Sequence, residues 1–466
     1  MMGRQQHHAE QLFYAFRLER HIPSDHLLRH IDGVLDLRAV RRAMEPYYAD
    51  TGRPSVDPEL MIRMLLIGYA FGIRSERRLC SEVHLNLAYR WFCRLGLEGA
   101  VPDHSTFSKN RHGRFRESDL FRFLFEDVVR ACLRAGLVGG EGFAIDASVI
   151  EADASRGRKV DGRPTTWPED EQVTRPVREY LAALDEAMQA EAAKNDADND
   201  FPPGNPSAEP KVTSLTDPAA AWTNKGQMKV LFAYGINYLL DLQASIIVDV
   251  QATPARWSAE VAATKTMLER TETCFELKPQ RLAADTAYGS GLMIGWLMQR
   301  GIEPHMPLLD REHQTNGFFT RADFAFDPEN NVFVCPGGKH LRSTGLVRPD
   351  GTIPYLASTK DCRACPLRSR CTKGAKRIVT RNLFEQQREH VRALAGTAAF
   401  EQSARERRKV EMRFAHLKRH LGFRRLRLRG LTGASDEFLL VAIVQNLKKL
   451  ARFLTHGPPT PAEAIP

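Results

Sequence analysis

The positions of apolar and polar residues divide the chain into a helical first part and a second part in which strands alternate with helices. Between residues 25 and 135 apolar side chains recur at helical spacing, as in the stretch DPELMIRMLLIGYAFGI. Asp57 and Pro58 open that stretch as a cap and a first-turn proline, and Asp103 or Ser105 can cap a further helix in PDHSTFSKNRHGRF. This part of the chain is therefore predicted to be all-α.

A strand pattern replaces the helical one near Phe143. The apolar run from Phe143 to Ile150 contains Asp146, and the block KVLFAYGINYLLDLQASIIVDVQAT is long enough for two strands. A helix fits SAEVAATKTMLERT, a short strand fits RLAADTAYG, and further helices fit LMIGWLMQR, residues 383–394, residues 400–421 and FLLVAIVQNLKKLARFL. The alternation of strands and helices predicts an α/β core.

Residues 151–218 interrupt this core. Residues 185–200 contain six acidic residues and one lysine, and five prolines follow between Phe201 and Pro218. A segment with this composition has few apolar groups to bury, so we expect a mobile linker or loop.

The charge distribution points to a polyanionic partner. The formal net charge is +9, and residues 401–430 alone hold eleven Lys or Arg against three Glu, a local net charge of +8. Such a run is either a solvated basic helix or a surface that releases counterions on binding nucleic acid. In the helical part, Lys109, Arg111 and Arg114 form a basic face typical of a helix-turn-helix reader of DNA, although a plain helical bundle remains the alternative.

Two features bear on the cellular compartment. No apolar run reaches the ~18 residues that a membrane span requires. The first residues, MMGRQQHHAEQLFYAF, lack the basic and then apolar layout of a signal peptide. We therefore expect a cytoplasmic, nucleoid-associated protein whose eight cysteines are reduced.

Three carboxylates stand out as candidate chemistry. Asp146 lies in an apolar strand pattern, where a carboxylate is costly without a partner such as a metal. Asp285 follows a short apolar strand, a common place for a catalytic residue in an open α/β sheet. Taken alone, each aspartate is more often a cap or turn residue, so a third carboxylate decides the interpretation.

Glu411 supplies this third carboxylate on a helix with two distinct stripes. The apolar stripe that should pack on the sheet consists of Val410, Phe414, Leu417 and Leu421. Arg407, Glu411 and Lys418 fall in a narrow arc about 100° further round the helix. The alternative is a solvated Arg–Glu pair worth a few tenths of a kcal/mol.

With these residues the sequence resembles the bacterial insertion-sequence transposases that have a DDE active site on an RNase H-like fold. The third acidic residue of that family lies in the signature Tyr-x2-Arg-x3-Glu-x6-Lys, and Arg407, Glu411 and Lys418 match its last three positions. Ala404 stands where the tyrosine is usual.

The other motifs of the resemblance lie earlier in the chain. Asp146 in AIDASVIEADAS matches the first acidic position, and Asp285 in ADTAYGSG matches the second, with Tyr288 in its usual place. The run from GRPSVDPELMIRMLLIGYAFGIRSERRL to PDHSTFSKNR resembles the helical domain that precedes the catalytic core. The resemblance covers most of the chain.

The resemblance implies metal-dependent phosphodiester chemistry. Hydrolysis of DNA and joining of a 3′-hydroxyl are in-line displacements that two metal ions about 3.5–4 Å apart can assist. Asp146 would bridge the two Mg²⁺ or Mn²⁺ ions. Asp285 would hold one of these ions and Glu411 the other. Arg407 and Lys418 would hold phosphates beside them, and the remaining predicted phosphate contacts are Lys109, Arg111, Arg424 and Arg425.

Four cysteines form a separate cluster. Cys335, Cys362, Cys365 and Cys371 lie within 37 residues. In a reducing compartment such a cluster favours a closed structural Zn²⁺ site over disulfides, with free thiols as the alternative. Cysteine-rich inserts at this place also occur in some of the transposases that the sequence resembles.

These patterns predict an RNase H-like mixed sheet flanked by helices, preceded by an all-α DNA-binding domain and interrupted by a cysteine-rich insert. The predicted order is an N-terminal arm (1–24), a helical domain (25–135), a first catalytic part (136–330, with the insert 151–218), a zinc module (331–376), a helical catalytic part (377–456) and a disordered tail (457–466). The expected protein binds double-stranded DNA at element ends and target, as a homodimer. The alternatives are an RNase H-like nuclease without strand transfer and a DNA-binding regulator with an idle catalytic fold.

Overall fold

The computed structural model describes residues 16–49, 51, 55–164, 166–167, 174–194, 210–224, 229–309 and 317–457. The chain forms two compact units, one of Met1–Ala131 with Leu439–Pro466 and one of Cys132–Phe438. This division differs from the predicted domain order, because the end of the last helix belongs with the N-terminal part. The predicted arm and tail fall largely on residues 1–15 and 458–466, which lie outside the described residues.

The first unit is helical, as predicted for residues 25–135. Its helices are α1 (Leu18–His21), α2 (Leu27–Asp32), α3 (Arg38–Met44), α4 (Pro58–Ala70), α5 (Glu76–Leu85), α6 (Leu87–Phe92), α7 (His104–His112) and α8 (Leu120–Arg134), with a 3₁₀ turn at Glu45–Tyr47 and α8 ending in the second unit. The Asp57 side chain caps α4 by accepting from the Glu59 amide, and the Asp103 side chain caps α7. Every residue of α4 from Met61 to Ala70 is buried, which makes α4 the central helix of this unit.

The second unit contains three sheets. Its strands are β1 (Gly142–Glu151), β2 (Lys159–Asp161), β3 (Val212–Ser214), β4 (Ala221–Thr223), β5 (Leu231–Asp241), β6 (Ile247–Pro254), β7 (Arg281–Ala283), β8 (Glu303–His305), β9 (Ala325–Asp327), β10 (Val332–Val334), β11 (His340–Ser343), β12 (Thr352–Leu356) and β13 (Ile378–Asn382). Its helices are α9 (Arg175–Lys194), α10 (Trp257–Phe275), α11 (Gly291–Gln299), α12 (Thr359–Arg363), α13 (Arg368–Cys371), α14 (Glu385–Leu394) and α15 (Ala398–Arg419), and α16 (Gly430–His456) begins here and ends in the first unit.

The largest sheet has the order β4-β5-β1-β7-β8, with β6 also paired to β5. Strands β5 and β6 are antiparallel to their neighbours, whereas β7 and β8 add to β1 in parallel. One face is covered by α10 and α11, whose apolar residues join Phe143, Ile145 and Leu239 in a continuous core. On the other face Tyr238 of β5 stacks on Phe414 of α15, with ring centroids 4.9 Å apart. The predicted α/β architecture is thus present, with a mixed sheet between helices.

The cysteine-rich region folds into a second sheet. Strands β9 to β13 pair in the order β13-β12-β11-β10-β9, and all their pairings are antiparallel. The sheet extends beyond the predicted module of residues 331–376 at both ends. Its core is small and consists of Phe324, Phe333, Leu341, Tyr355, Ala357 and Val379.

The predicted mobile insert is more regular than expected. Residues 175–194 form a 20-residue helix, α9, and β2 pairs with β3 in a separate two-stranded sheet. The acidic composition suggested a linker, but the sequence LAALDEAMQAEAAK is rich in Ala, Leu, Glu and Gln, which favour a helix. Residues 195–209, with the end of the acidic run, lie outside the described residues.

None of the described helices combines the length and apolar character needed to cross a lipid bilayer.

Candidate active site

The pairing of β1 with β7 brings two predicted aspartates to neighbouring strands. Ala144 of β1 is opposite Ala283 of β7 in a parallel register. Asp146 and Asp285 each lie two residues further along, and adjacent strands are about 4.8 Å apart. β1 continues past Asp146, whereas Asp285 begins the 3₁₀ turn Thr286–Tyr288 as its cap.

Helix α15 brings the third carboxylate over this sheet. The predicted apolar stripe is buried: Val410, Phe414, Leu417 and Leu421 are at most 7% exposed. Tyr238, which stacks on Phe414, is the partner of Asp146 in the β1–β5 register, so Asp146 also faces α15.

Polar contacts fix the rotation of α15 at its start. The Ser403 hydroxyl lies 2.7 Å from His305 Nδ1 at the end of β8, and it also accepts a hydrogen bond from Arg281 of β7. Arg281 donates to Glu406 as well, at 2.8 Å. Ser403 is fully buried and lies one helical turn before Arg407, so the side of α15 that carries Arg407 is held in place.

Two cations of the basic run anchor the middle of α15. Lys409 Nζ donates to the Leu242 carbonyl at 2.6 Å, and Arg413 Nε donates to the Ser245 carbonyl at 2.9 Å. Both carbonyls belong to the turn between β5 and β6. Sequence reasoning assigned these two cations only to a general basic face. The signal that could have distinguished Arg413 is its position beside Phe414, next to the packed stripe.

Arg407 lies between two of the carboxylates. Its Nη1 is 3.8 Å from Asp146 Oδ2, and its Nη2 is 3.1 Å from Glu411 Oε1. The Glu411 side chain is 53% exposed, whereas that of Asp146 is 19% exposed. The guanidinium thus supplies the positive charge between a half-open glutamate and a more buried aspartate.

Burial and neighbouring charges both act on Asp146. Burial raises the pKa of Asp146 to about 6, and the negative charges of Asp285 and Glu411 add to this increase. The Ala147 amide, which donates to Asp146 Oδ1 at 2.8 Å, and Arg407 act in the opposite direction. Two like charges this close favour a bound cation.

Within the part of the chain that the structure describes, no three His, Cys, Asp or Glu side chains are arranged so that they could hold one metal ion. Asp285 Oδ1 accepts from the Ala287 amide at 2.9 Å, and Asp146 Oδ2 faces Arg407. The Arg407 guanidinium is the positive charge that contacts Asp146 and Glu411.

The other predicted phosphate contacts of this unit lie at and beyond the end of α15. Lys418 is half-buried, and its carbonyl accepts from Arg424 Nε at 3.2 Å. Arg425 and Arg429 both contact Asp153, at 3.0 and 3.1 Å. Residues 421–430 mostly alternate buried leucines or Phe423 with exposed arginines, so these cations form one basic edge that is partly neutralised by Asp153.

The two predicted contacts in the helical unit differ from each other. Lys109 is exposed on α7. Arg111 is 4% exposed, with its guanidinium 3.0 Å from Glu76 and 2.8 Å from the Tyr69 hydroxyl. The expectation that Arg111 faces DNA is therefore corrected, because its side chain joins α7 to α4 and α5.

The four clustered cysteines lie near one another in the small sheet. Cys335 and Cys365 Sγ atoms are 3.7 and 3.5 Å from the position that a Cβ on Gly337 would take. The Lys339 amide points at Cys335 Sγ across 3.3 Å. Burial raises the pKa of the Cys371 thiol, and the other three thiols raise it further while Arg377 lowers it. Among the described residues, no disulfide joins any of the cysteines.

Two family models match the chain. A transposase domain (DUF772) matches residues 16–113, and a transposase DDE domain matches residues 334–451. The chain belongs to the insertion-sequence DDE transposases. The predicted family is thereby confirmed, and DNA is the molecule on which the transposase acts. The DDE match includes Glu411 and all four clustered cysteines, whereas Asp146 and Asp285 precede it.

Proposed function

We propose that the transposase cleaves the ends of its own element and joins them to target DNA at a site formed by Asp146, Asp285 and Glu411. The observation that carries this proposal is the contact of Arg407 with both Asp146 and Glu411, together with the parallel pairing of β1 with β7, which puts Asp146 and Asp285 on neighbouring strands. Each of the three acids comes from a different element, and the elements are held together by the β1–β7 register and by the anchors of α15.

The strand order supports an RNase H-like fold for this unit. If β4 is left aside and the remaining strands are renumbered in chain order, the sheet order β6-β5-β1-β7-β8 becomes 3-2-1-4-5. In it β6, β5 and β1 pair antiparallel, and β7 and β8 follow in parallel. In such a sheet the first and fourth strands are neighbours, and these are the strands that carry or precede the two aspartates. We infer that Asp146, Asp285 and Glu411 are the first, second and third acids of the DDE site.

The donor set fits divalent cations that prefer oxygen ligands, Mg²⁺ or Mn²⁺. Asp146, Asp285 and Glu411 would hold two such ions, and the mutual repulsion that raises the pKa of Asp146 would be relieved. When bound, the ions would stabilise charge on the attacking and leaving oxygens of a phosphodiester. Arg407 would turn from the carboxylates to a DNA phosphate, with Lys418 as its neighbour.

DNA recognition is assigned in the proposal to the helical unit and to the basic edge of residues 421–430. Lys109 is exposed on a short helix, as a phosphate contact requires, and Arg424 and Arg425 are exposed as well. Phosphate contacts alone carry no sequence information, so terminal-repeat recognition would come from base contacts of the helical unit. We further propose that a homodimer joins the two element ends.

A zinc ion held by Cys335, Cys362, Cys365 and Cys371 is the second part of the proposal. Two sulfurs approach the same glycine, the charges of the other three thiols raise the pKa of the Cys371 thiol, and an amide points at Cys335 Sγ. Thiolates are the ligands that structural zinc prefers. The ion would stabilise a sheet whose apolar core is small.

The proposed function is tested with purified full-length protein and DNA that carries the inverted repeat flanking its gene. With Mg²⁺ or Mn²⁺ we expect cleavage at the repeat and transfer of the 3′ end into a target plasmid, both absent for Asp146→Asn. Cleavage without transfer would favour the nuclease alternative. Binding of the repeat without cleavage would favour the idle regulator.

A further inference from the structure

The Tyr288 hydroxyl is a buried polar group that the proposed chemistry does not use. The side chain is 2% exposed and packs in the core between the large sheet and helices α10 and α11. Among the described residues its hydroxyl oxygen has no hydrogen-bond partner. Buried hydroxyls are normally satisfied, because a lone one loses its bonds to water without replacement.

The backbone around Tyr288 holds this hydroxyl in a fixed place. Tyr288 ends the 3₁₀ turn that Asp285 caps, and the Trp257 indole at the start of α10 donates to the Ala287 carbonyl at 2.8 Å. A Cβ on Gly289 would lie 2.0 Å from the Pro307 carbonyl oxygen, so the chain passes too closely there for a larger residue. Contacts at Ala287 and Gly289 therefore hold the turn in place on both sides of Tyr288.

The charges of three carboxylates act on the phenol. Burial raises the pKa of Tyr288 above its usual value, and the charges of Asp146, Glu260 and Asp285 raise it further. Glu260 lies in the first turn of α10 and is 4% exposed. The phenol therefore stays protonated, and its hydroxyl can donate a hydrogen bond.

We propose that Tyr288 is a positioning residue of the acid site, whose hydroxyl donates to a water molecule or carboxylate oxygen that turns toward it when a divalent cation binds. The inference rests on the proposed function, because it assumes a cation held by Asp146 and Asp285. A phenylalanine would fill the same volume without an unsatisfied group, so the hydroxyl has no packing role. Hydrogen-bond donors that contact the ligands of a metal, and not the metal itself, orient those ligands.

The test compares Tyr288→Phe with the wild type by Mn²⁺ titration in a calorimeter, without DNA, and by thermal melting with and without Mn²⁺. We expect Mn²⁺ binding about tenfold weaker and a melting temperature of the metal-free protein that is unchanged or higher. The matched control is Tyr234→Phe, because the Tyr234 hydroxyl is also buried but donates to Asp217. This control should melt earlier and bind Mn²⁺ as the wild type does.

Wild-type Mn²⁺ affinity in Tyr288→Phe would overturn the inference while leaving the acid site intact. Earlier melting of metal-free Tyr288→Phe would also overturn it, since it would reveal a structural partner for the hydroxyl. If the wild type binds no Mn²⁺, or Asp146→Asn binds it equally well, the proposed acid site fails and the inference fails with it.

Discussion

The proposed acid site and the proposed thiol site would both offer donor atoms to a cation, but the fold supports them to different degrees. The three acids lie on a six-stranded sheet with a continuous core and on a helix anchored by Ser403, Lys409 and Arg413. The four thiols lie in the loop after β10 and in and between the short helices α12 and α13, beside a five-stranded sheet with a small core. A cation at the acids would therefore serve chemistry, whereas a cation at the thiols would serve folding.

The positive charges near the acids and near the thiols also differ. Arg407 contacts Asp146 and Glu411, so the chain itself supplies positive charge next to these acids. The thiol cluster has Arg377 near Cys371, and Arg377 donates to the Cys371 carbonyl at 2.8 Å. Removing metal should therefore leave the large sheet folded and weaken the small one.

The largest expected effect comes from Glu411→Gln. The change keeps the size of the side chain and removes its charge, so cleavage should fall by about a thousandfold or more, as when other charge-stabilising groups are removed. Asp146→Asn and Asp285→Asn should behave alike, with melting temperatures close to that of the wild type. DNA cleavage assays with Mg²⁺ and Mn²⁺ measure this.

Glu401→Gln is the matched control for this prediction. Glu401 is exposed in the first turn of the same helix, away from the acid cluster, and its loss should leave cleavage unchanged. Loss of one surface ion pair costs at most about 1 kcal/mol. Near-wild-type cleavage by Glu411→Gln, with both aspartate variants inactive, would mean that the third ligand lies elsewhere.

The second prediction addresses the thiol site. Protein prepared with zinc should contain about one zinc per chain, and Cys362→Ser with Cys365→Ser should lose it and lower the melting temperature by about 10 °C or more. Elemental analysis and calorimetry measure both quantities. Cys274→Ser, a change at a thiol outside the cluster, should keep the zinc. Zinc-free wild-type protein with an unchanged melting temperature would refute the site.

The third prediction concerns Asp217, a buried carboxyl outside the proposed acid site, and its effect on stability. This fully buried carboxyl accepts from Tyr234 at 2.5 Å and from the Gly430 amide at 3.3 Å. Burial raises its pKa to about 7, with Tyr234, Gly430 and Arg429 lowering it and Asp153 raising it. The folded state therefore holds the Asp217 proton more tightly than the unfolded state does. The contribution of this proton to the free energy of unfolding is full below about pH 4 and is lost as the pH rises to about 7.

That loss amounts to about 4 kcal/mol of unfolding free energy, at roughly 1.4 kcal/mol per pKa unit. Asp217→Asn removes the titration, so the unfolding free energy of the variant should decline less between pH 4 and 7. Urea unfolding of both proteins at several pH values measures the difference. Equal slopes would show that Asp217 is ionised in the folded protein and that burial alone does not hold its proton.

The alternation of strands and helices could be predicted because it depends on the local sequence, whereas the assignment of the three acids stays a prediction that rests on short motifs. Apolar periodicity reports which face is buried, and short motifs surround Asp146, Asp285 and Glu411. The hydrogen bond between Ser403 and His305 could not be predicted, because a pattern of spacing does not identify a polar partner about a hundred residues away. Arg111 was misjudged for the same reason: a basic helix face does not reveal that one of its cations is buried against Glu76.

The smallest expected effect lies outside both sites and concerns DNA binding. Lys109→Ala should weaken binding to repeat DNA about fivefold at 0.15 M salt and lower the salt slope by about one, as expected when one phosphate contact is lost. Zinc content and melting temperature should stay unchanged because Lys109 is exposed. Lys278→Ala, another exposed lysine, is the matched control.

Arg111→Ala should instead lower the melting temperature, since its guanidinium is buried with Glu76 and Tyr69. An unchanged salt slope in Lys109→Ala would remove α7 from the DNA contacts.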